Sequence, residues 1–149
     1  MLLPSTFVCI YFPTAGHDQS FMEEWSNLHS TVDSLLQTYP DTSLYIRGDF
    51  NVNVKNENRR TLYNSFLQSG SFEEVEIGHP TYHHFLGNGD SDSHLDKLIH
   101  SKDSQGEILN EILWKLQNPL VESHHDILIS TWTVPRQSTV LDNSGLMKA

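Results

Sequence analysis

Cysteine is almost absent from this chain, and the single Cys9 excludes an internal disulfide and any metal site built on paired thiolates. Its neighbours Phe7, Val8, Ile10 and Tyr11 predict a buried thiol within a strand, not a nucleophile. Basic residues are also scarce. Nine Lys and Arg against nineteen Asp and Glu leave a net charge of −10, which opposes non-specific nucleic-acid binding, since neutralising phosphates takes clustered cations. An acidic chain can still hydrolyse phosphodiesters where a bound cation reverses the local field. No apolar run approaches the roughly 20 residues of a membrane-spanning helix. The opening Met1-Leu2-Leu3-Pro4 lacks the basic start of a secretory signal. The expectation is an intracellular protein with no membrane partner.

Several chemistries lose their support in the same way. There is no H-E-x-x-H, G-x-S-x-G, P-loop or C-x-x-C, and His83-His84 has no second ligand pair at zinc spacing. Asp90, Asp92 and Asp96 do not form a calcium loop, because its sixth position is Leu95 instead of glycine and its twelfth is Ser101 instead of glutamate.

What is present suffices for one domain with one core. Residues 6 to 12, β-branched and aromatic up to Pro13, predict a buried strand. Ser20 and Glu23 form a capping-box pattern, followed by Phe21, Trp25, Leu28, Val32, Leu35 and Leu36 at helical spacing. Leu44 to Arg47 predicts a second strand ending at Gly48-Asp49, and a second helix near 58 to 68 stops at Gly70. Beyond these lie Phe72 to Val75, then Pro80-Thr81-Tyr82, a loop with Gly87, Gly89 and Asp90, and a strand from Leu95 to His100. Ile108, Leu109, Ile112, Leu113 and Leu116 fit a helix by period, while Ile127 to Trp132 reads as a strand. The order predicts an α/β fold over residues 1–134 with a disordered tail over 135–149.

Three polar clusters sit where strands meet loops. Gly48-Asp49-Phe50-Asn51 presents a carboxylate and an amide at a strand end, although an Asx-type turn is the commoner use of such a pair. Asp96 lies in an apolar segment, where an unpaired carboxylate is costly unless the strand is an edge with a solvent face. Ser123-His124-His125-Asp126 precedes the last strand, so a carboxylate could hold one imidazole and favour its protonated form.

Taken in order, Ile10-Tyr11-Phe12-Pro13, Gly48-Asp49-Phe50-Asn51, Pro80-Thr81-Tyr82, Ser93-His94-Leu95-Asp96 and Ser123-His124-His125 resemble the successive motifs of the endonuclease/exonuclease/phosphatase superfamily. The resemblance covers about residues 6 to 132 and is nearest in character to LINE-type retrotransposon endonucleases. It implies the C-terminal half of a four-layered α/β sandwich with mixed β-sheets, and phosphodiester hydrolysis assisted by Mg²⁺ or Mn²⁺. By the same resemblance Asp49 orients and deprotonates the attacking water, Asn51 holds water and phosphate, and Tyr11 contacts the phosphate. His125 as imidazolium stabilises the transition state, and Asp96 is the acid paired with it. His124 stands where the family has a metal-binding aspartate, so the metal ligands here are Asp49 and His124. The family's metal-binding glutamate and an upstream asparagine belong to an N-terminal half outside this sequence. The isolated chain is therefore expected to be weakly active or inactive. DNA is the partner implied by the endonuclease branch, while a phosphatase of small phosphorylated molecules uses the same residues. A non-catalytic binding protein retaining the half-fold is the alternative from another class.

Overall fold

Side chains that are mostly β-branched or aromatic lose χ1 freedom in a helix, and the run from Thr6 to Tyr11 accordingly forms strand β1, Ser5–Tyr11. A computed structural model of the chain describes residues 4–53, 55–78, 80–86, 89–102, 108–114 and 127–132, with 83–86, 89–92, 108–114 and 127–132 described as backbone alone. After β1 come helix α1, Asp18–Thr38, strand β2, Ser43–Asp49, helix α2, Glu57–Ser69, and the short strand β3, Phe72–Glu74. Strands β4, Tyr82–Leu86, and β5, Gly89–Ser93, pair as a hairpin before β6, Asp96–Ser101. Strands β7, Ile108–Trp114, and β8, Ile127–Trp132, form a separate antiparallel pair.

The main sheet has the order β1-β2-β6-β3. It is mixed, because α1 carries the chain back to lay β2 parallel to β1, whereas β6 runs antiparallel to both β2 and β3. Alternate residues of each strand point to opposite faces. Val8 and Ile10 of β1, Leu44 and Ile46 of β2, Ile99 of β6 and Phe72 of β3 join the core formed with the two helices. Phe21, Trp25, Leu28 and Val32 give α1 its buried stripe, and Tyr63 and Phe66 do the same for α2. Burying each large apolar side chain contributes about 1.5–3 kcal/mol relative to leaving it exposed. The core is strongly aromatic. Phe12 packs against Phe21, Trp25 and Phe50, with ring centroids 5.3, 5.4 and 5.7 Å apart.

Several expectations are corrected. The chain from Ile108 is strand β7, not a helix, and its register against β8 shifts between Ile108 and Asn110. Helix α1 starts at Asp18, two residues before the supposed capping box, and its N-cap His17 makes no side-chain cap bond. Cys9 is exposed, because among the described residues β1 is an outer strand whose Phe7, Cys9 and Tyr11 lie away from the helices. Gly89 and Asp90 belong to β5 instead of a loop. Gly70 does end α2, but in right-handed conformation, and Ser71 takes the positive φ of 51°. No helix among the described residues is long and apolar enough to cross a membrane.

Candidate active site

Each residue of Gly48-Asp49-Phe50-Asn51 has a separate physical task. Gly48 has φ +141°, and a Cβ there would lie 1.9 Å from the Ile10 carbonyl oxygen. Only glycine lets β2 press against β1 at this point. Asp49 ends β2 and is buried, with its Oδ1 accepting from the Asn51 N–H at 2.8 Å. Phe50 is wholly buried beneath the turn, its ring 5.3 Å from Tyr63. Asn51 takes a φ of 48° and donates its side-chain amide to the Phe12 carbonyl at 2.6 Å. The Asx turn and the functional placement therefore coexist, since the bond that makes the turn also fixes the carboxylate.

The register brings together three of the candidates. Tyr11 of β1 is the Cα partner of Asp49 in β2, and Asp49 is the partner of Asp96 in β6. The three side chains form one row across the sheet, on the face away from the helices. Asp96 is not on an edge strand, because β6 lies between β2 and β3. Its backbone N–H donates to Thr81 Oγ1 at 3.1 Å, and Thr81 is itself fully buried. Tyr11 remains largely exposed, whereas Asp49 and Asn51 are not. Tyr11, Asp49 and Asn51 open onto one cavity of about 240 Å³, shared with Asn53, Tyr82 and Leu95. His124 and His125 lie outside the described residues, so the pairing of His125 with Asp96 and the metal role of His124 stand as expectations.

Arg59 escaped the sequence reading. It is 3% exposed and ties four residues of three segments together behind the site. Its Nη1 donates to the Pro13 carbonyl at 2.7 Å and the Asn51 carbonyl at 3.2 Å. Its Nη2 donates to the Thr14 carbonyl at 3.0 Å and to Asp18 Oδ1 at 2.9 Å, and Nε reaches the same Asp18 oxygen at 3.3 Å. The guanidinium also stacks 3.9 Å above the Phe21 ring. The sequence does carry a signal for it. Arg59, Tyr63 and Phe66 follow the apolar period of α2, and a cation on that stripe implies an internal binding site for its donors.

Behind the site Tyr63 donates to Glu74 Oε2 at 2.8 Å, and Lys97 Nζ reaches Oε1 of the same carboxylate at 3.1 Å. Burial pushes the Tyr63 phenol well above its ordinary range, and the adjacent Glu74 charge adds to this.

Two hard oxygen donors, Asp49 and Asp96, face each other in one register pair, where like charges repel and positive charge is favoured. Among the described residues no three His, Cys, Asp or Glu gather to cage an ion. Carboxylates are the donor type that a magnesium ion takes, one or two at a time with water completing its shell.

No family model and no curated protein matches the chain. Solved structures do. The endonuclease domain of TRAS1, a telomere-specific non-LTR retrotransposon, superposes at a TM-score of 0.53 with 17% identity, over 75% of this chain and 52% of that one. A mannosyl-6-phosphatase of Bacteroides thetaiotaomicron gives 0.57 with 15% identity, over 85% and 50%. An endonuclease/exonuclease/phosphatase family protein from the same bacterium gives 0.54 with 17% identity, over 85% and 49%. The chain thus has the α/β fold of the endonuclease/exonuclease/phosphatase superfamily and spans about half the length of the chains it matches.

Proposed function

We propose that the chain carries the water-activating part of a divalent-metal-assisted phosphoester hydrolase. The observation that supports this best is the row Tyr11, Asp49, Asp96 across three strands, with Asn51 pinned beside it and a cavity in front. In this reading Asp49, oriented by the Asn51 N–H, takes a proton from the attacking water. Asn51 and Tyr11 donate to phosphate oxygens, and Asp96 orients the imidazole of His125. Asp49 and Asp96 hold Mg²⁺ or Mn²⁺, with His124 as a further ligand. When bound, the ion supplies positive charge that stabilises the phosphoryl oxygens. Neighbours that include both an endonuclease and a sugar phosphatase support the reaction class and leave the substrate open.

The test is hydrolysis of bis(p-nitrophenyl) phosphate in Mg²⁺ or Mn²⁺, with Asp49→Asn and Asn51→Ala run in parallel. The expected result is metal-dependent release that falls by at least about 100-fold in Asp49→Asn, the range for loss of a positioned base. A wild-type rate no higher than that of Asp49→Asn would overturn the proposal and leave the half-fold as a binding scaffold.

A further inference from the structure

A non-glycine residue at positive φ carries a cost of about 1 kcal/mol or more, and such a conformation persists only where its surroundings over-determine it. Asn51, at φ 48°, is held from three directions. Its N–H donates to Asp49, its side-chain amide to the Phe12 carbonyl, and its own carbonyl accepts from Arg59 Nη1. The first two bonds lie within the strand ends. The third comes from α2 and anchors the turn to the helix layer.

The loop between Asn51 and Arg59 aims the guanidinium at this point. Asn53 accepts from the Lys55 N–H with its side chain and from the Asn56 N–H with its carbonyl, each at 3.0 Å, and so turns the chain back. Asn56 then caps α2 by accepting from the Arg59 N–H at 3.1 Å. Arg59 therefore leaves the first turn of α2 within reach of the strand end that the chain has just passed. The buried Phe21 ring, 3.9 Å away, fixes the plane of the guanidinium. Nη1 spans the Pro13 and Asn51 carbonyls, one from each of the loops that follow β1 and β2, while Nη2 and Nε fasten Thr14 and Asp18. All five N–H donors are engaged in this way, so the guanidinium is committed to the frame of the cavity that it lines.

Stability alone is a weak reason for such a cation. Desolvating it costs several kcal/mol, and Asp18, its ion-pair partner, is 75% exposed. A rigid planar fork provides what neither a lysine nor an apolar side chain can, a fixed separation between its acceptors. We propose that Arg59 is a positioning residue of the site. It holds the Asn51 turn, and with it the Asp49 carboxylate, against the loop that follows Tyr11, so that base and phosphate contact keep the geometry of attack. The catalytic part of this role rests on the hydrolase reading, whereas the fixing of the turn does not.

Two variants of the whole chain separate orientation from charge. Arg59→Lys keeps the charge and loses the fork, and Arg59→Met loses both. Both are expected to lower kcat on bis(p-nitrophenyl) phosphate by about 10- to 100-fold, the range for a small misplacement, with KM within about twofold of wild type. In the absence of substrate and metal, the Asn51 N–H should exchange with deuterium at least about tenfold faster in both variants, beyond any rise shared by Ile46 and Ile99 of the core strands. Wild-type kcat in Arg59→Lys would assign the effect to charge and overturn the proposal. Asn51 exchange that rises only in step with Ile46 and Ile99, or failure of Arg59→Lys to fold, would make the residue merely structural and overturn it equally. A wild type that releases no nitrophenolate sinks the hydrolase reading instead, and the Asn51 exchange then decides whether Arg59 fixes the turn.

Discussion

The two faces of the four-stranded sheet obey different rules. On the helix side Leu44, Ile46 and Ile99 are 0% exposed, and every strand contributes to one continuous apolar cluster. On the other side Phe7 and Tyr11 are 62% and 71% exposed, while Tyr45, Leu98 and Asp49 remain buried. The helix side holds the fold together by area. The opposite side carries the row of polar residues, set beside the buried Tyr45 and Leu98. A continuous apolar cluster on one face and a polar row with exposed rings on the other is a contrast that substitutions can test.

The largest effect is expected where the faces share a constraint. Gly48→Ala places a Cβ 1.9 Å from the Ile10 oxygen in a backbone conformation that other residues avoid. It should cost more than about 4 kcal/mol, an exceptional value for one residue, and leave no cooperative urea transition. Next, Ile46→Ala on the helix side should cost about 3 kcal/mol by lost transfer energy and a cavity, read as a fall in the urea midpoint. Arg59→Met comes close behind at about 2–3 kcal/mol, since it leaves the buried Asn51 carbonyl and its neighbours short of donors. Tyr63→Phe removes one hydrogen bond to Glu74 and should cost about 1 kcal/mol at pH 7. Because the folded state raises the Tyr63 pKa, its contribution is intact below pH 10 and declines as pH rises beyond that, so the variant should lose less stability than wild type between pH 10 and 11. The smallest effect belongs to Phe7→Ser on the opposite face, about 0.5–1 kcal/mol, since its ring is largely exposed and its one described aromatic contact is with Tyr45 at 5.0 Å. A loss at Phe7 comparable with that at Ile46 would break the contrast between the faces.

The sequence made the motif-bearing part of the fold legible because local signals and burial agreed there. Helix α1 follows from Phe21, Trp25, Leu28 and Val32, and β2 from the apolar run that ends in Gly48-Asp49. The meeting of Tyr11, Asp49 and Asp96 in one row depends on register, which is a property of strand pairing and not of any single segment. Asp49 and Asn51 could be named from their motif. The saturation of Arg59 could not, because its five hydrogen bonds end on four acceptors in residues 13, 14, 18 and 51, three of which lie more than forty residues before it. Strand β7 was misread since Ile108, Leu109, Ile112 and Leu113 lack the strict alternation of a half-buried strand and fit a helical spacing. Cys9 was misread for a related reason: composition identifies a strand but does not say which strand stands at the margin of the sheet.

That marginal strand has a practical consequence. Ser5-Thr-Phe-Val-Cys-Ile-Tyr11 contains no charge and no proline, the two devices that usually keep outer strands from recruiting one another. Seven residues of high β-propensity and zero charge match the composition of segments that stack into fibrils. Concentrated, warmed or partly unfolded samples should therefore self-associate through β1, making thermal melts irreversible and dependent on protein concentration. A lysine at position 7 would act as a gatekeeper there, at little cost to the helix-packed core.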